Sequence, residues 1–317
     1  ILLPVDFPHT SLHVIHQAAT LAQHLHSEIV MLHVVTVQSH AAGVPEDGPE
    51  FAGWDMLAEI IGEAQKMQDP SLSRALEGLP VRCLLRKGKP AQAILETAQV
   101  EKADLIMMPS HGAMFDQFLL GSVTGKVLRG SDCPVWTDAH VGESVRPAKA
   151  YNPLFLHDGV DVGKTHRTQT VVYGSKQGQS GLEFAIHSVL CAVDLGPRSR
   201  EAVSWAALFA TEFGARLTLV HITPSVKLWG PGGSYVNQEW KKELVGDASQ
   251  RIAKLQQGIG IKADILIGSG DVPLVLSEAA RQTTADLLIT GCYPYGGNLR
   301  LHGYPIICAV PIPVLSV

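Results

Sequence analysis

The chain repeats itself, and this internal duplication limits the folds open to it more than any other feature. Residues 189–194 (VLCAVD) repeat residues 1–6 (ILLPVD) at an offset of 188, and residues 285–288 (ADLL) repeat residues 103–106 (ADLI) at an offset of 182. The first offset also joins four later pairs: Ser11/Ser199, Ala18/Ala206, Ala22/Ala210 and His33/His221. Matched segments in the same order indicate two copies of one domain in tandem.

Each copy alternates short apolar runs with amphipathic segments. In the first copy the pattern predicts strands over residues 1–6, 28–35, 81–86, 105–108 and 135–137. It predicts helices over residues 12–25, 55–67 and 90–102, and a fourth that opens at residues 121–122. A strand, a helix and a second strand in succession form a parallel pair. The fold class is therefore α/β, with two tandem open parallel five-stranded sheets that carry helices on both faces.

The two copies are separated by a segment of different composition. We expect a first domain over residues 1–138, a linker or excursion over residues 139–187, and a second domain over residues 188–317. The linker holds prolines, glycines and polar residues, and its residues 170–173 are predicted to form a short strand. Residues 159–165 (GVDVGKT) look like a phosphate-binding loop, but the glycine spacing is one residue short. We reject that site because no clear strand precedes it and no helix follows it.

Composition excludes two classes of partner. The 317 residues are 46% hydrophobic and only 17% charged, with a net charge of -5, whereas a protein that binds nucleic acid normally carries a basic stripe. No run of 18 apolar residues is present, so we expect no membrane-spanning segment. The five cysteines contain no C-x-x-C pair. This pattern is typical of buried, reduced thiols in a cytoplasmic protein.

The segment from residue 103 to residue 137 holds the strongest candidate for a binding site. Gly112 follows a predicted strand, and Gly121 and Ser122 open a helix whose predicted buried face is Val123, Val127 and Leu128. Glycines admit close backbone approach, and a helix N-terminus has unpaired N–H groups, so this turn suits a phosphate. The hydroxyls of Ser122 and Thr124 are further candidate donors. The alternative is a glycine turn that only redirects the chain.

Several short motifs resemble the universal stress protein family in its tandem two-domain form. They are LPVD at residues 3–6, MLHV at 31–34, SHG at 110–112, GSVT at 121–124 and CPV at 133–135. The resemblance implies a stress-response regulator that binds ATP, AMP or ADP, with Mg²⁺ accompanying the nucleotide. It also implies that the two sheets meet near their fifth strands, residues 135–137 and 314–317, as a pseudo-dimer. A homodimer of the chain is also compatible with it.

By the same resemblance, ten residues of the first copy form the nucleotide site. The residues at the adenine and ribose are Pro4, Val5, Asp6 and Val34, and those at the ribose and phosphates are Met108, Gly112, Gly121, Ser122, Val123 and Thr124. Two departures from the family's glycine pattern stand out, since Pro109 replaces its first glycine and eight rather than nine residues separate the next two. Asp6 has an alternative role as a cap of the following helix, and Asp194 repeats it.

The second copy lacks the features of a phosphate site. Residues 291–294 (GCYP) replace PSHG, no Gly-Ser pair follows, and three residues have been lost before the last strand. Prolines remove N–H donors, so we expect this copy to bind anions poorly and to have a structural or partner-binding role.

Histidines form two further patterns. His9, His13 and His16 line one helix face, where a metal site is the less favoured interpretation and a solvated polar face the preferred one. His33 and His221 repeat near the end of the second strand of each copy, so we expect a shared structural hydrogen bond.

Three classes of function remain after these arguments. A nucleotide-responsive regulator is favoured, and a ligand-free dimerisation scaffold is the first alternative. An enzyme is the second, but the chain carries neither an S-G-G-x-D-S nor an H-I-G-H signature, and no base is paired with a nucleophile by spacing. We therefore expect at most slow ATP hydrolysis.

Overall fold

A computed structural model describes residues 1–6, 12–36, 71–110, 120–138, 156–157, 160–161, 184–223, 233–291 and 303–317. In the first half the elements in chain order are β1 (Leu2–Val5), α1 (Leu12–His24), β2 (Ile29–Val35), α2 (Ser71–Leu76), β3 (Val81–Lys87), α3 (Pro90–Val100), β4 (Ile106–Met108), α4 (Ser122–Gly130) and β5 (Val135–Thr137). The predicted strands lie within about a residue of these bounds. The helix predicted over residues 55–67 lies outside the described residues.

The second half repeats this order. Two short strands, β6 (Leu156–His157) and β7 (Val160–Asp161), come first, followed by β8 (Ser188–Ala192), α5 (Ser199–Glu212), β9 (Arg216–Thr223), α6 (Gly233–Ile259), β10 (Asp264–Ser269), α7 (Val272–Gln282), β11 (Leu287–Thr290), α8 (Gly303–Ala309) and β12 (Val314–Ser316). The strand β7 contains the two described residues of the rejected segment 159–165. The strand predicted over residues 170–173 lies outside the described residues.

The two halves share a single sheet. Its strand order is β3-β2-β1-β4-β5-β12-β11-β8-β9-β10-β6-β7, and the five strands within each half run parallel. The halves join where β5 and β12 pair antiparallel, with Val135 opposite Ser316 and Thr137 opposite Val314. The fifth strands therefore meet as expected, but the result is one continuous sheet rather than two sheets, because each half supplies the edge that the other covers.

Part of the segment between the halves extends the sheet at its far end. The strands β6 and β7 form an antiparallel hairpin, and Leu156 pairs with Ile267 of β10. The described part of this segment thus pairs with and covers the edge strand β10, and so contributes to the sheet itself.

The two faces of the sheet bury different cores. On one face, α1 and α5 cover a core that continues across the junction and includes Leu3, Ile15, Trp136 and Phe209. On the other face the core is divided, with Ile94 of α3 and Val127 of α4 in the first half. The second half packs α7 and α8 on its own core there, and Leu120, just before α4, is buried in it. Burial of this apolar surface provides the main free energy of folding.

Candidate functional site

The candidate site lies at the carboxyl ends of three adjacent parallel strands. Val5 of β1 pairs with His33 of β2, so Asp6 and the end of β2 reach the same edge. The strand β4 lies on the other side of β1, where Leu2 pairs with Ile106. Open parallel sheets bind ligands at this edge.

The strands divide the predicted residues between two faces. Leu2 and Met108 belong to the core under α3 and α4, and Val34 packs against it. Because side chains alternate along a strand, Pro4 faces the same way as Leu2. Val5 instead belongs to the core under α1. It can therefore present only its backbone to a ligand on the α4 side.

The helix α4 begins beside the end of β4. The N–H of Gly121 donates to the Ser110 carbonyl at 2.9 Å, and the Thr124 hydroxyl donates to the Pro109 carbonyl at 3.0 Å. Gly121 is the N-cap residue and has no side chain to cap the helix. The N–H groups of the first helical residues lack intrahelical partners, so this terminus suits an anion. Ser122 is exposed beside them.

Two details of this helix differ from the sequence prediction. Its buried residues are Thr124, Gly125 and Val127, whereas Val123 and Leu128 are half-buried. The Thr124 hydroxyl donates to the Pro109 carbonyl, so donation to a phosphate would require it to give up that bond. Gly112, which was predicted to bind phosphate, lies outside the described residues with His111.

The predicted histidine hydrogen bond is confirmed in both halves. His33 Nδ1 lies 3.0 Å from the Val5 carbonyl oxygen, and His221 Nδ1 lies 2.7 Å from the Val193 carbonyl oxygen. Each imidazole ties the end of the first strand of its half to the second. A carbonyl only accepts hydrogen bonds, so Nδ1 carries the proton in both contacts.

The equivalent edge of the second half is occupied by internal contacts. The Asp194 carboxylate accepts hydrogen bonds at 2.8 Å from the Gly196 N–H and the Ser199 hydroxyl, where α5 begins. Asp194 thus fixes the turn before α5, but it does not cap the helix, whose N-cap residue is Arg198. Arg251 of α6 donates to the Leu195 carbonyl at 3.0 Å.

The helix that corresponds to α4 in the second half is shorter. The helix α8 has 7 residues, against 9 in α4, and its third residue is Pro305. A proline there removes one N–H donor from the terminus. The described start of α8 therefore offers one N–H donor fewer than the start of α4.

The predicted solvated histidine face is wrong for His16, whereas His13 is partly exposed and also contacts a buried carboxylate. His16 is 6% exposed, and His13 lies 3.0 Å from a carboxylate oxygen of Asp138, which is itself 6% exposed. His9 lies outside the described residues. Sequence reasoning missed Asp138 because 125 positions separate it from His13. Its one local signal is its place directly after the fifth strand.

The described residues contain no group of three or more histidine, cysteine, aspartate or glutamate side chains arranged to hold a metal ion. Cys191 is buried as predicted, whereas Cys83, Cys133 and Cys308 are half-buried, and all four are free. Burial raises the pKa of each thiol, which keeps it protonated. Cys292 lies outside the described residues.

Comparison with known proteins assigns the family. The model of the universal stress protein family matches residues 1–137 and 185–301. The chain belongs to the universal stress protein family. A universal stress protein of Methanocaldococcus jannaschii is 30% identical over 138 residues, which cover 43% of this chain and 78% of that protein. One from Thermus aquaticus is 36% identical over 96 residues, or 28% of this chain and 69% of that protein.

Solved universal stress proteins show the same two-half fold. A universal stress protein from Archaeoglobus fulgidus superposes with a TM-score of 0.55 at 18% identity, covering 99% of this chain and 94% of that one. A protein of unknown function from Pseudomonas aeruginosa gives a TM-score of 0.61 at 14% identity, covering 100% and 91%. Among the described helices of this universal stress protein, none is long and apolar enough to cross a membrane.

Proposed function

We propose that the first half binds an adenine nucleotide, ATP or its relatives AMP and ADP, and that the chain acts as a nucleotide-responsive regulator in the stress response. The observation that carries the proposal is the start of α4. A glycine N-cap without a side-chain cap lies at the carboxyl end of β4. Free N–H groups and the helix dipole favour phosphate there.

The strand ends supply the remainder of the site. Pro4, Val34 and Met108 give an apolar surface on the α4 side of the sheet, which suits a purine base. Asp6 is exposed at the end of β1, where its carboxylate can accept a hydrogen bond from a ribose hydroxyl. The backbone of Gly121, Ser122 and Val123 meets the phosphates.

Mg²⁺ fits this site as a companion of the nucleotide. A magnesium ion commonly uses phosphate oxygens, waters and one or two carboxylates, and needs no cage made by the protein alone. Asp6 is an exposed carboxylate at this edge, and the described residues contain no group of three or more candidate metal ligands. The ion would neutralise phosphate charge while the chain's own N–H groups orient the phosphates.

We assign nucleotide binding to the first half alone. In the second half the Asp194 carboxylate is bonded to Gly196 and Ser199, and α8 is short and carries Pro305 near its start. That half instead completes the sheet and the shared core at the β5–β12 junction. The same junction favours the second candidate function, a ligand-free scaffold that presents the two halves to a signalling partner.

Replacing Gly121 with valine tests the site. Gly121 has φ -54° and ψ 140°, which any residue can adopt, so Gly121→Val introduces a side chain without backbone strain. The new methyl groups lie where the backbone must approach phosphate. We expect calorimetry with Mg·ATP to show an affinity at least about tenfold lower, a loss of about 1.4 kcal/mol.

The matched control is Gly125→Ala in the same helix. A Cβ there meets its nearest neighbour, an Arg129 side-chain nitrogen, at 3.6 Å, an ordinary contact. This variant should bind as the wild type does. Unchanged affinity in folded Gly121→Val would mean that the phosphates do not bind at this helix terminus. An absence of nucleotide binding to the wild type would favour the scaffold function.

A further inference from the structure

A chain of side-chain hydrogen bonds links two residues of α1 to two residues at the end of β5, more than 100 positions away. The Trp136 indole N–H donates to the Gln17 amide oxygen at 2.8 Å. Indole nitrogen only donates, so this contact fixes the amide, and its NH₂ group donates to an Asp138 carboxylate oxygen at 3.0 Å. His13 Nδ1 lies 3.0 and 3.1 Å from the two oxygens of the same carboxylate. A carboxylate accepts only, so His13 Nδ1 carries a proton.

The chain lies at the junction between the halves. Trp136 is fully buried, and its ring contacts Phe184 and Phe209 of the second half, with centroids 5.9 and 6.1 Å away. The neighbouring Thr137 hydroxyl donates to the Val314 carbonyl of β12 at 3.2 Å. A change at Asp138 is therefore transmitted to groups that hold the two halves together.

Asp138 also reaches the edge that carries the candidate site. Its backbone N–H donates to the Met108 carbonyl at the end of β4, at 3.3 Å. Its carboxylate holds α1, which follows the loop after Asp6. One residue thus joins β4, β5 and α1.

The ion pair is buried at one end and open to solvent at the other. Asp138 is 6% exposed, whereas the His13 side chain is 40% exposed, so water can exchange protons with the imidazole. The hydrogen bond to Asp138 raises the pKa of His13, against the opposing effect of burial. A buried carboxylate is costly unless it is paired, so the charge of His13 matters to it.

The other titratable groups on neighbouring elements are few. His16 is buried on the same helix, and Asp6 and His33 stand at the ends of β1 and β2. Among the described residues, Asp138 is the charged group that acts on the protonation of His13. Since Asp138 holds the Nδ1 proton, deprotonation removes the proton from Nε2. The contact then persists as a hydrogen bond from a neutral imidazole to the Asp138 carboxylate, without the attraction between opposite charges.

We propose that His13 and Asp138 form a proton-operated latch, which holds α1 on the end of β5 most firmly when His13 is charged and relaxes the junction between the halves when that charge is lost. The latch does not depend on nucleotide binding.

The direction of the pH effect follows from the protonation of the two states. The folded protein holds the His13 proton more tightly than the unfolded chain, whose histidine has a pKa of 6.5. The stabilisation is therefore complete below pH 6.5 and is lost as the pH rises through the pKa of His13 in the folded protein. Neutral His13 still donates its hydrogen bond, so the junction loosens without unfolding.

The first test compares melting temperatures between pH 5.5 and 8.5. The variant His13→Gln keeps an N–H donor for Asp138 but cannot become charged, and His187→Gln is the matched control at an exposed histidine. We expect the wild type to exceed His13→Gln by about 2–4 °C below pH 6.5 and the excess to shrink as the pH rises. A difference that is constant over this range, or an equal pH trend in His187→Gln, overturns the latch.

The second test observes the proton and the junction directly by NMR. The His13 ring signal, assigned with His13→Gln, should titrate with a midpoint above 6.5, and Asp138→Asn should lower that midpoint. The Trp136 indole N–H signal, assigned with Trp136→Phe, should shift with the same midpoint as His13. A midpoint at or below 6.5, or an indole signal that does not follow it, contradicts the proposal even if Asp138→Asn fails to fold.

Discussion

At the scale of single residues, one hydrogen bond occurs twice in the molecule. His33 and His221 each donate from Nδ1 to the last carbonyl groups of the adjacent first strand, Val5 and Val193. A buried carbonyl without a hydrogen-bond partner costs about 1–3 kcal/mol of stability. Each imidazole supplies a donor to such a carbonyl at the end of the strand pairing. The repetition indicates a structural role that is independent of any ligand.

His221 should give a pH dependence opposite to that of His13. Burial lowers the pKa of His221, with a smaller opposing effect from its bond to Val193. Below pH 6.5, His221 is therefore protonated more readily in the unfolded chain than in the folded protein. The free energy of unfolding falls as the pH drops below this value. Replacing His221 with glutamine, which keeps an N–H donor, should remove this loss.

Melting temperatures measured from pH 7.5 to 5 check this prediction. The wild type should lose more stability on acidification than His221→Gln, whereas the exposed-site control His187→Gln should follow the wild type. Parallel curves for wild type and His221→Gln would mean that His221 is not held neutral by burial. Because His13 and His221 act in opposite directions, only single-residue comparisons separate them.

These histidines show what sequence can and cannot predict at this scale. The bond of His33 was predictable because duplication repeats it at a fixed position near a strand end. The bond of His13 was not, because its partner Asp138 is 125 positions away and becomes a neighbour only when β5 passes beside α1. Periodicity on one helix carries no information about such a partner, so the face was assigned to solvent.

At the scale of elements, α4 connects the candidate site to the second half. Leu120 precedes the helix and is 6% exposed within the core formed by α7 and α8. The Leu120 backbone also forms a hydrogen bond to the Cys308 thiol of α8, which opposes the rise in the pKa of Cys308 that burial causes. The start of α4 is therefore held by residues of both halves.

Leu120→Ala should weaken nucleotide binding as well as stability. The cavity should cost about 2–5 kcal/mol of unfolding free energy, and the helix terminus should lose its fixed position beside β4. Leu128→Ala, within α4, is the control, because Leu128 is half-buried against the cores of both halves but lies two turns beyond the site. Thermal unfolding should show that both variants are less stable than the wild type. Calorimetry with Mg·ATP should show weaker binding for Leu120→Ala alone. If Leu120→Ala binds Mg·ATP with the same affinity as the wild type, the packing of Leu120 does not position the nucleotide site.

The elements themselves were largely predictable. Apolar runs such as residues 135–137 fixed the strands closely, because strands buried on both faces read as continuous hydrophobic segments. The buried face of α4 was less predictable, since Thr124 is buried by its bond to Pro109 rather than by hydrophobicity. The hairpin of β6 and β7 could not be placed, because two-residue strands depend on the β10 edge that they cover.

At the scale of the whole molecule, the halves form a continuous sheet whose two candidate edges differ in structure. The antiparallel β5–β12 pair lets each half cover an edge strand of the other, and one core crosses the junction under α1 and α5. In the first half, the strand ends lie beside the start of α4, where we propose that phosphate binds. Those of the second half are occupied by Asp194, Arg251 and a short α8.

The duplication predicted two copies of one α/β domain, and the family resemblance implied that they meet near their fifth strands, but the single continuous sheet was not predicted. The loss of the Gly-Ser pair and the gain of Pro305 were visible in the chain. The internal contacts that occupy the second edge were not, because Arg251 reaches Leu195 from a helix 56 positions further along. Only the fold shows that this cation lies over the loop after β8.

Calorimetric titration of the whole chain with Mg·ATP tests the central claim most directly. The account predicts a single site per chain, removed by Gly121→Val and retained in Gly125→Ala. Two sites per chain would contradict the assignment of the second half as a structural copy. An absence of heat together with an absence of thermal stabilisation by Mg·ATP would contradict nucleotide binding itself.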